Sequence, residues 1–313
     1  MEIDVAVLIP CFNEEVAIGN VVRDFKKHLP GAVVFVYDNA STDGTAAAAT
    51  AAGAIVRREP LPGKGNVVRR MFADVEADVY VLVDGDDTYD AASAPLLIHR
   101  LMSESLDLVT GARVETSQEA YRRGHRFGNW MLTTLVARLF GNRFTDMLSG
   151  YRVFSRRFVK SFPALSSGFE VETELTVHAL QLRAPIAEVP TPYKDRPAGS
   201  HSKLRTVHDG ARILSTIVSL VKEERPLYFF SLVGIVMLVA SLTAGFSVIA
   251  EYWRTGLVPR LPTAVLATGL ALLGFLSIVC GLILDTVTRG RNEQKRMHYL
   301  GIPIRIRDRR ASE

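Results

Sequence analysis

Val79-Tyr80-Val81-Leu82-Val83-Asp84-Gly85-Asp86-Asp87-Thr88-Tyr89-Asp90 is the stretch that decides the fold of this 313-residue chain. A run of β-formers leads straight into a turn in which Asp84, Asp86 and Asp87 stand within four positions. Aliphatic β-branched and aromatic residues favour a strand, and the acidic turn ends it. In a parallel α/β sheet, ligands bind beyond the carboxyl ends of the strands. Carboxylates this close repel one another by about 1 to 4 kcal/mol per pair at about 4 Å, depending on the effective dielectric. A divalent cation relieves that repulsion. Oxygen ligands favour Mg²⁺ or Mn²⁺, and Mg²⁺ typically shares its shell with substrate phosphates. Taken alone, the string also fits an acidic turn that merely closes a strand.

Outward from this string, strands alternate with helices. Ile3 to Ile9 reads as a buried strand, followed by a helix carrying Ile18, Val21, Val22, Phe25 and Leu29 at helical spacing. Val33 to Tyr37 reads as a second strand, followed by a polar turn from Asp38 to Gly44 and an alanine-rich helix. A short strand near Ile55, a Pro-Gly-Lys-Gly turn at Pro62 to Gly65 and a helix to Glu76 lead back to Val79. The pattern predicts an α/β fold with a mostly parallel, doubly wound sheet. Three polar turns, Pro10 to Glu15, Asp38 to Gly44 and Asp84 to Asp87, fall at strand ends.

Farther along, Leu227 to Ala250 and Leu261 to Leu284 each run for 24 residues without a charge. As helices they would span roughly 36 Å, against a bilayer core of about 30 Å. The alternative, two buried helices in a soluble core, would need long helices apolar on every face with no polar stripe. Small residues four apart (Ala240 and Ala244, Ser241 and Gly245, Ala267 and Ala271, Ser277 and Gly281) would let the two spans approach closely. The connection from Glu251 to Arg260 holds two arginines, whereas Arg289, Arg291, Lys295, Arg296, Arg305, Arg307, Arg309 and Arg310 follow the second span. The positive-inside rule therefore places both ends of the chain in the cytoplasm. Met1 to Asp4 and the short apolar run after them do not resemble a signal peptide.

Trp130 to Phe140, preceded by Arg122, Arg123, His125 and Arg126, reads either as an interfacial amphipathic helix or as an ordinary core helix. Leu204 to Val221 places Leu204, Val207, Ala211, Leu214 and Val218 along one helical face, leading to Arg225-Pro226 at the start of the first span. Cys11 and Cys280 lie in different parts of the chain and define no disulfide or zinc framework. The formal charge of +4 is small, and its excess sits in the tail, where it suits an anionic membrane surface. No nucleic-acid-binding motif is present.

Six motifs occur in a particular order: Ile9 to Glu15, Ser41 to Thr45, Gly63 to Gly65, Asp84-x-Asp86, Asp146 to Arg152, and Arg196 to Leu204. Together they resemble polyprenyl-phosphate glycosyltransferases of the dolichyl-phosphate mannose synthase type, in glycosyltransferase family two with its A-type fold. The bacterial enzymes that load a sugar onto undecaprenyl phosphate share the pattern. The resemblance implies a cytoplasmic transferase domain over 1–203, a juxtamembrane helix over 204–226, spans at 227–250 and 261–284, and a basic tail over 285–313. It further implies an integral membrane protein of the bacterial inner membrane with its catalytic domain facing the cytoplasm.

By the same resemblance, Pro10, Phe12, Glu14, Val36 and Asp38 form the pocket for a nucleotide sugar, UDP- or GDP-linked, and Gly85 and Thr88 join them from the acidic turn. Phe12 stands where tyrosine is often found. Asn39 replaces the usual second aspartate and leaves the base, uracil or guanine, open. Asp38 and Asn39 are also residues that readily stabilise a turn through their side chains. Asp84 would contact the nucleotide or sugar and Asp86 would ligate Mg²⁺ or Mn²⁺, while Asp87 and Asp90 cap the segment that follows. Lys64 would reach a donor phosphate. Arg113, Arg196 and Lys203 match positions that grip phosphates, with Arg152, His201 and Arg205 nearby, and the pliable Gly199-Ser200 loop would close over the donor. Asp146, Ser149 and Gly150 would line the sugar or acceptor pocket. Glu170 and Glu174 share a helix face, and the group Glu170, Glu172 and Glu174 fits either a sugar-orienting role or the acidic start of a helix.

The implied reaction transfers one sugar, with inversion, from the nucleotide donor to a polyprenyl phosphate lipid in a membrane. A homo-oligomer built through the tail or spans is compatible with these features. A processive polysaccharide synthase would carry a Gln-x-x-Arg-Trp signature and more spans. A nucleotidyltransferase would open on Gly-x-Gly-x-Arg. A scaffold or glycan-binding module would not need both a metal site and a second phosphate site.

Overall fold

The computed structural model describes residues 3–115, 145–168, 170–197, 218–219 and 221–303. The expected helix at Trp130 to Phe140, most of the stretch from Leu204 to Val221, the loop residues Gly199, Ser200, His201, Lys203 and Arg205, and the arginines from 305 to 310 lie outside them.

Seven strands form one sheet: β1 (Val5–Cys11), β2 (Val33–Asp38), β3 (Ile55–Arg58), β4 (Val79–Leu82), β5 (Leu108–Glu115), β6 (Arg152–Ser155) and β7 (Ile186–Tyr193), in the order β3-β2-β1-β4-β6-β5-β7. β1 pairs in parallel with β2 and β4, and β2 with β3; β6 alone runs antiparallel to its neighbours, and β5 and β7 are parallel. Among the described residues the α-helices of this unit are α1 (Glu15–His28), α2 (Thr45–Ala51), α3 (Lys64–Asp74), α4 (Ala94–Ser103), α5 (Arg156–Ser161) and α6 (Val171–Leu182). The core forms where the apolar faces of β1, β2 and β4 meet Ile18, Val21, Val22 and Phe25 of α1 and Leu97 and Leu101 of α4. From β1 the chain winds outward through β2 and β3, then returns to β4 on the other side of β1. The strand order reverses between β1 and β4, and that is where an open α/β sheet has its ligand crevice.

His178 of α6 is buried, with Phe158 and Phe162 edge-on at 5.3 and 5.5 Å and the Ser161 hydroxyl 3.2 Å from Nε2. Burial, with the Lys295 charge adding to it, depresses its pKa to about 3. The folded state therefore holds the ring neutral while an unfolded chain protonates it near pH 6.5. This stabilisation is present above pH 6.5 and drains away as the pH falls toward 3, by about 1.4 kcal/mol per unit. His178→Phe should flatten the loss of stability between pH 6 and pH 4, read from denaturation midpoints across that range. A wild-type slope in the variant would refute it.

Met1–Ala211 and Lys295–Glu313 belong to the sheet unit and Arg212–Gln294 to a second unit. The second unit is built on α7 (Pro226–Thr255) and most of α8 (Leu261–Leu300), both long and apolar enough to cross a membrane. Ser241 donates to the carbonyl of Ala267 at 2.7 Å and Ser277 to that of Phe230 at 2.9 Å. Gly234 lies so close to α8 that a Cβ there would sit 2.7 Å from the Gly274 carbonyl. Two of the expected small-residue pairs thus meet the partner helix, Gly234 and Gly274 add a contact not anticipated, and Ala240 faces outward.

The segment after Asp285 is not simply a tail, since α8 continues unbroken to Leu300. Its last residues pack within the sheet unit. Lys295 bonds Gln181 at 2.8 Å, Arg296 bonds the Gln181 carbonyl at 3.0 Å, and buried Tyr299 joins Leu182 and Ala184 and donates its hydroxyl to Asp107.

Candidate active site

All three polar turns lie at the carboxyl ends of β1, β2 and β4, knitted by Asn39 N donating to the Cys11 carbonyl at 2.8 Å and Val83 N to that of Leu8 at 3.1 Å. Each contains a non-glycine residue in the left-handed region: Asn13 at φ 52°, Ala40 at 58° and Asp87 at 59°. Asparagine and aspartate tolerate this, whereas alanine costs about 1 to 2 kcal/mol. Strain of this kind clusters where structure is held for function.

The Gly-Lys-Gly turn brings in the first cation. A Cβ on Gly65 would lie 2.2 Å from the Ser166 carbonyl, and one on Gly63 equally close to that of Ser167, so the turn abuts the segment leading into α6. Because the obstacle is backbone, Gly65→Ala should cost about 1 to 3 kcal/mol of stability. Denaturation midpoints check this, and an unchanged midpoint would contradict the packing.

Held there, the Lys64 ammonium lies 2.5 Å from both Asp84 Oδ1 and Glu172 Oε1. Burial alone would lower the lysine's pKa, but Asp84 and Glu172 outweigh it and raise it. The expectation that Lys64 points at a donor phosphate therefore gives way to a lysine clasped by two carboxylates. Glu172, weighed with Glu170 and Glu174 as a sugar-orienting residue or a helix-start acid, instead meets a lysine, as an acid on a helix buried on nearly every side must find a partner.

Arg196 supplies the second cation, 2.6 Å from Asp86 Oδ2 and 3.9 Å from Glu14 Oε1. Thr88 donates its hydroxyl to Asp86 Oδ1 at 2.6 Å. Burial and the charge of Asp84 nevertheless push the Asp86 pKa up, against the opposing pull of Arg196 and Thr88. Among the described residues, Glu14, Asp84, Asp86 and Glu172 pair with Lys64 and Arg196.

The other expected residues divide sharply. Arg113 forks onto Asp146 through two 2.7 Å bonds, so both belong to an internal pair. Burial would raise the Asp146 carboxyl's pKa, but Arg113 holds it low. Arg152 is fully buried and donates to Ser149 O at 2.9 Å, Met147 O at 2.5 Å and Thr176 Oγ1 at 2.9 Å, so it braces the 147–150 loop rather than meeting an acceptor. Ser149 is likewise buried, its hydroxyl on the Gly111 carbonyl at 2.6 Å. Gly150 does reach the site: a Cβ there would sit 2.3 Å from Asp84 Oδ2. Gly85 packs against the Cys11 sulfur.

Val36 is a core side chain, leaving only its main chain for a nucleotide. Phe12 is 45% exposed. Asp38 accepts from Ser41 N at 3.2 Å as a turn stabiliser does. Asn39 donates to the carbonyls of Glu59 at 3.0 Å and Leu61 at 2.7 Å and accepts from Gly63 N at 2.7 Å. An aspartate would face both carbonyls without a proton to offer, so Asn39 shapes the lysine turn. Glu174 binds Leu165 N at 2.8 Å and Ser166 N at 2.9 Å, and Glu170 precedes α6. Asp90 accepts from the Ser93 hydroxyl at 2.8 Å; Asp87 instead interacts with Asn20 and Lys194, departing from the expected cap.

No cluster of three or more His, Cys, Asp or Glu side chains suited to a metal occurs among the described residues. Asp84 and Asp86 do fit a hard divalent cation that takes its remaining ligands from water and a diphosphate.

Residues 6–162 match the family model described as "Glycosyl transferase family 2". A relative from Haloferax volcanii, the glycosyltransferase AglJ, is 33% identical over 95% of this chain and 98% of its own length. The chain belongs to glycosyl transferase family 2. Another member from Haloferax volcanii, a dolichyl-phosphate hexose transferase, is 31% identical over 71% of this chain and 96% of its own. The sheet is the A-type glycosyltransferase fold of this family. Glucosyl-3-phosphoglycerate synthase from Mycobacterium tuberculosis, solved with Mn²⁺, UDP and glucosyl-3-phosphoglycerate, superposes with a TM-score of 0.58 at 26% identity, over 70% of this chain and 79% of that one. The family 2 match contains Lys64, Asp84 and Asp86, whereas Glu172 and Arg196 lie beyond it.

Proposed function

We propose that this family 2 glycosyltransferase moves a single sugar from a UDP- or GDP-linked donor to a polyprenyl phosphate such as undecaprenyl phosphate, on the cytoplasmic side of a cell membrane. The observation that carries the reading is the convergence of Asp84, Asp86, Lys64 and Arg196 at the switch point, in a chain that also bears two helices long enough to cross a bilayer. The dolichyl-phosphate hexose transferase among its relatives supports a lipid phosphate as acceptor.

Asp86, with Asp84 beside it, would hold Mg²⁺ or Mn²⁺, which when bound stabilises charge on the departing diphosphate. Arg196 is within reach of the same carboxylate and would turn its fork toward the diphosphate, a geometry suited to guanidinium. Lys203, His201 and Arg205 follow it in sequence and would extend this cationic side. The half-exposed Phe12 offers a face for the base. A polyprenyl phosphate is already anionic. Its oxygen attacks the anomeric carbon as the bond to the β-phosphate oxygen breaks, the nucleoside diphosphate leaves with the electron pair, and no general base is required. Positioning and charge stabilisation supply the rate. In-line displacement on an α-linked donor gives a β-linked sugar phosphate.

Purified full-length protein incubated with Mn²⁺ or Mg²⁺, polyprenyl phosphate and a panel of radiolabelled nucleotide sugars should transfer label from one donor into the lipid phase. Folded protein that yields no lipid product from any donor would overturn the reading.

A further inference from the structure

We propose that Glu172 is a positioning residue for the donor site, acting through Lys64 on Asp84; this rests on Asp84 facing the donor. The three side chains form a series of falling access: Asp84 is 28% exposed, Lys64 9% and Glu172 7%. Glu172 spends Oε1 on the lysine, and its Oε2 is shut off from solvent with no hydrogen-bond partner among the described residues. A carboxylate so enclosed does not reach a ligand; its direct contact is Lys64, while its charge also favours that of buried Arg152.

A lysine is a point charge on a flexible stem. Paired with Asp84 alone, it would be free to swing toward an incoming diphosphate, whose charge is larger. The buried Glu172 holds it back, so Asp84 Oδ1 keeps its partner and the carboxylate keeps one orientation. A second route from α6 converges on the same group. Thr176, one turn along from Glu172, accepts from Arg152, which grips the Met147 and Ser149 carbonyls and so sets Gly150 against Asp84 Oδ2. One helix thus fixes both oxygens of Asp84.

The test is a cycle of Glu172→Gln, Lys64→Gln and the double variant in full-length protein. It is read as kcat and donor KM in lipid transfer, and separately as the Kd of UDP and of GDP in the presence of Mn²⁺, which needs no acceptor. With Lys64 present, Glu172→Gln should lower kcat about 10- to 100-fold, the scale of a small misplacement, with donor KM within about threefold. It should also shift the Kd of the nucleotide that binds by about threefold or more. In the Lys64→Gln background the same change should alter neither quantity by more than about twofold. An effect of Glu172→Gln that persists without Lys64, or is absent in both backgrounds, overturns the proposal. Should Lys64→Gln fail to fold, Glu172→Asp carries the test: it retains the charge but is one methylene shorter, so it should lose as much as Glu172→Gln, and wild-type activity would overturn the proposal. Wild-type protein that binds a nucleotide but transfers nothing to lipid would refute the polyprenyl acceptor instead, leaving the cycle readable in Kd.

Discussion

Asp86→Asn should lower sugar transfer by about a hundred- to a thousandfold while leaving the fold intact, an effect on the scale of removing one preorganised electrostatic contact from a transition state. The asparagine is isosteric and still accepts the Thr88 hydroxyl bond, which the carboxylate receives at 2.6 Å. What it loses is charge. Asp86 is only 5% exposed, next to Asp84, and already under pressure from burial to take up a proton. Its charged form is the one that meets a cation, here Arg196 and by proposal a metal. The variant should therefore also bind Mn²⁺ more weakly, which electron paramagnetic resonance reads directly from free ion. Activity within tenfold of wild type, with an unchanged metal requirement, would show that the metal is held elsewhere.

Lys64→Met should destabilise the sheet unit by about 3 to 5 kcal/mol, the usual penalty when one partner of a buried ion pair is removed. Glu172 would be left as a buried anion without its 2.5 Å contact, and Asp84 would lose its neutralising partner. Methionine roughly fills the lysine's volume, so the loss reports on charge more than on a cavity. Replacing Glu172 by leucine in the same molecule should recover most of the stability, because well-packed apolar groups often equal or exceed a buried pair. Chemical denaturation in detergent, followed by a signal from the sheet unit, gives both values. A single variant as stable as wild type would mean that water reaches Lys64 freely.

The first half of the sheet was legible because β1, β2 and β4 are apolar runs with no competing pattern, each closed by a polar turn. The second half hid itself for physical reasons. β6 begins with Arg152, a residue type normally read as surface, here wholly buried because three oxygens receive it. β7 contains Pro190 and Pro192, which argue against a strand. It is nonetheless an edge strand, and residues two apart direct their backbone nitrogens to the same side. Both prolines are exposed, and an edge strand tolerates their missing N–H groups.

In the site, Asp84 and Asp86 were readable because spacing and strand-end position coincide in a short string. Lys64 could be located but not its partners, since the clasp joins residues more than a hundred positions apart. Arg113, Ser149 and Arg152 matched a pattern of recognition, yet each is bonded internally, and only tertiary structure separates a residue that touches a ligand from one that supports its neighbour.

The end of α8 bears on how this protein can be divided. Cutting the chain before Pro226 looks like an easy route to a water-soluble enzyme, because every described strand lies upstream. Such a fragment would discard Tyr299, whose hydroxyl reaches Asp107 and whose ring lies 4.4 Å from the Arg157 guanidinium, and would uncover Leu182 and Ala184. A soluble version has to carry Lys295–Leu300 along, spliced on by a linker or supplied as a separate peptide. In this protein the sheet unit is finished by residues the ribosome adds only after both apolar stretches have been made.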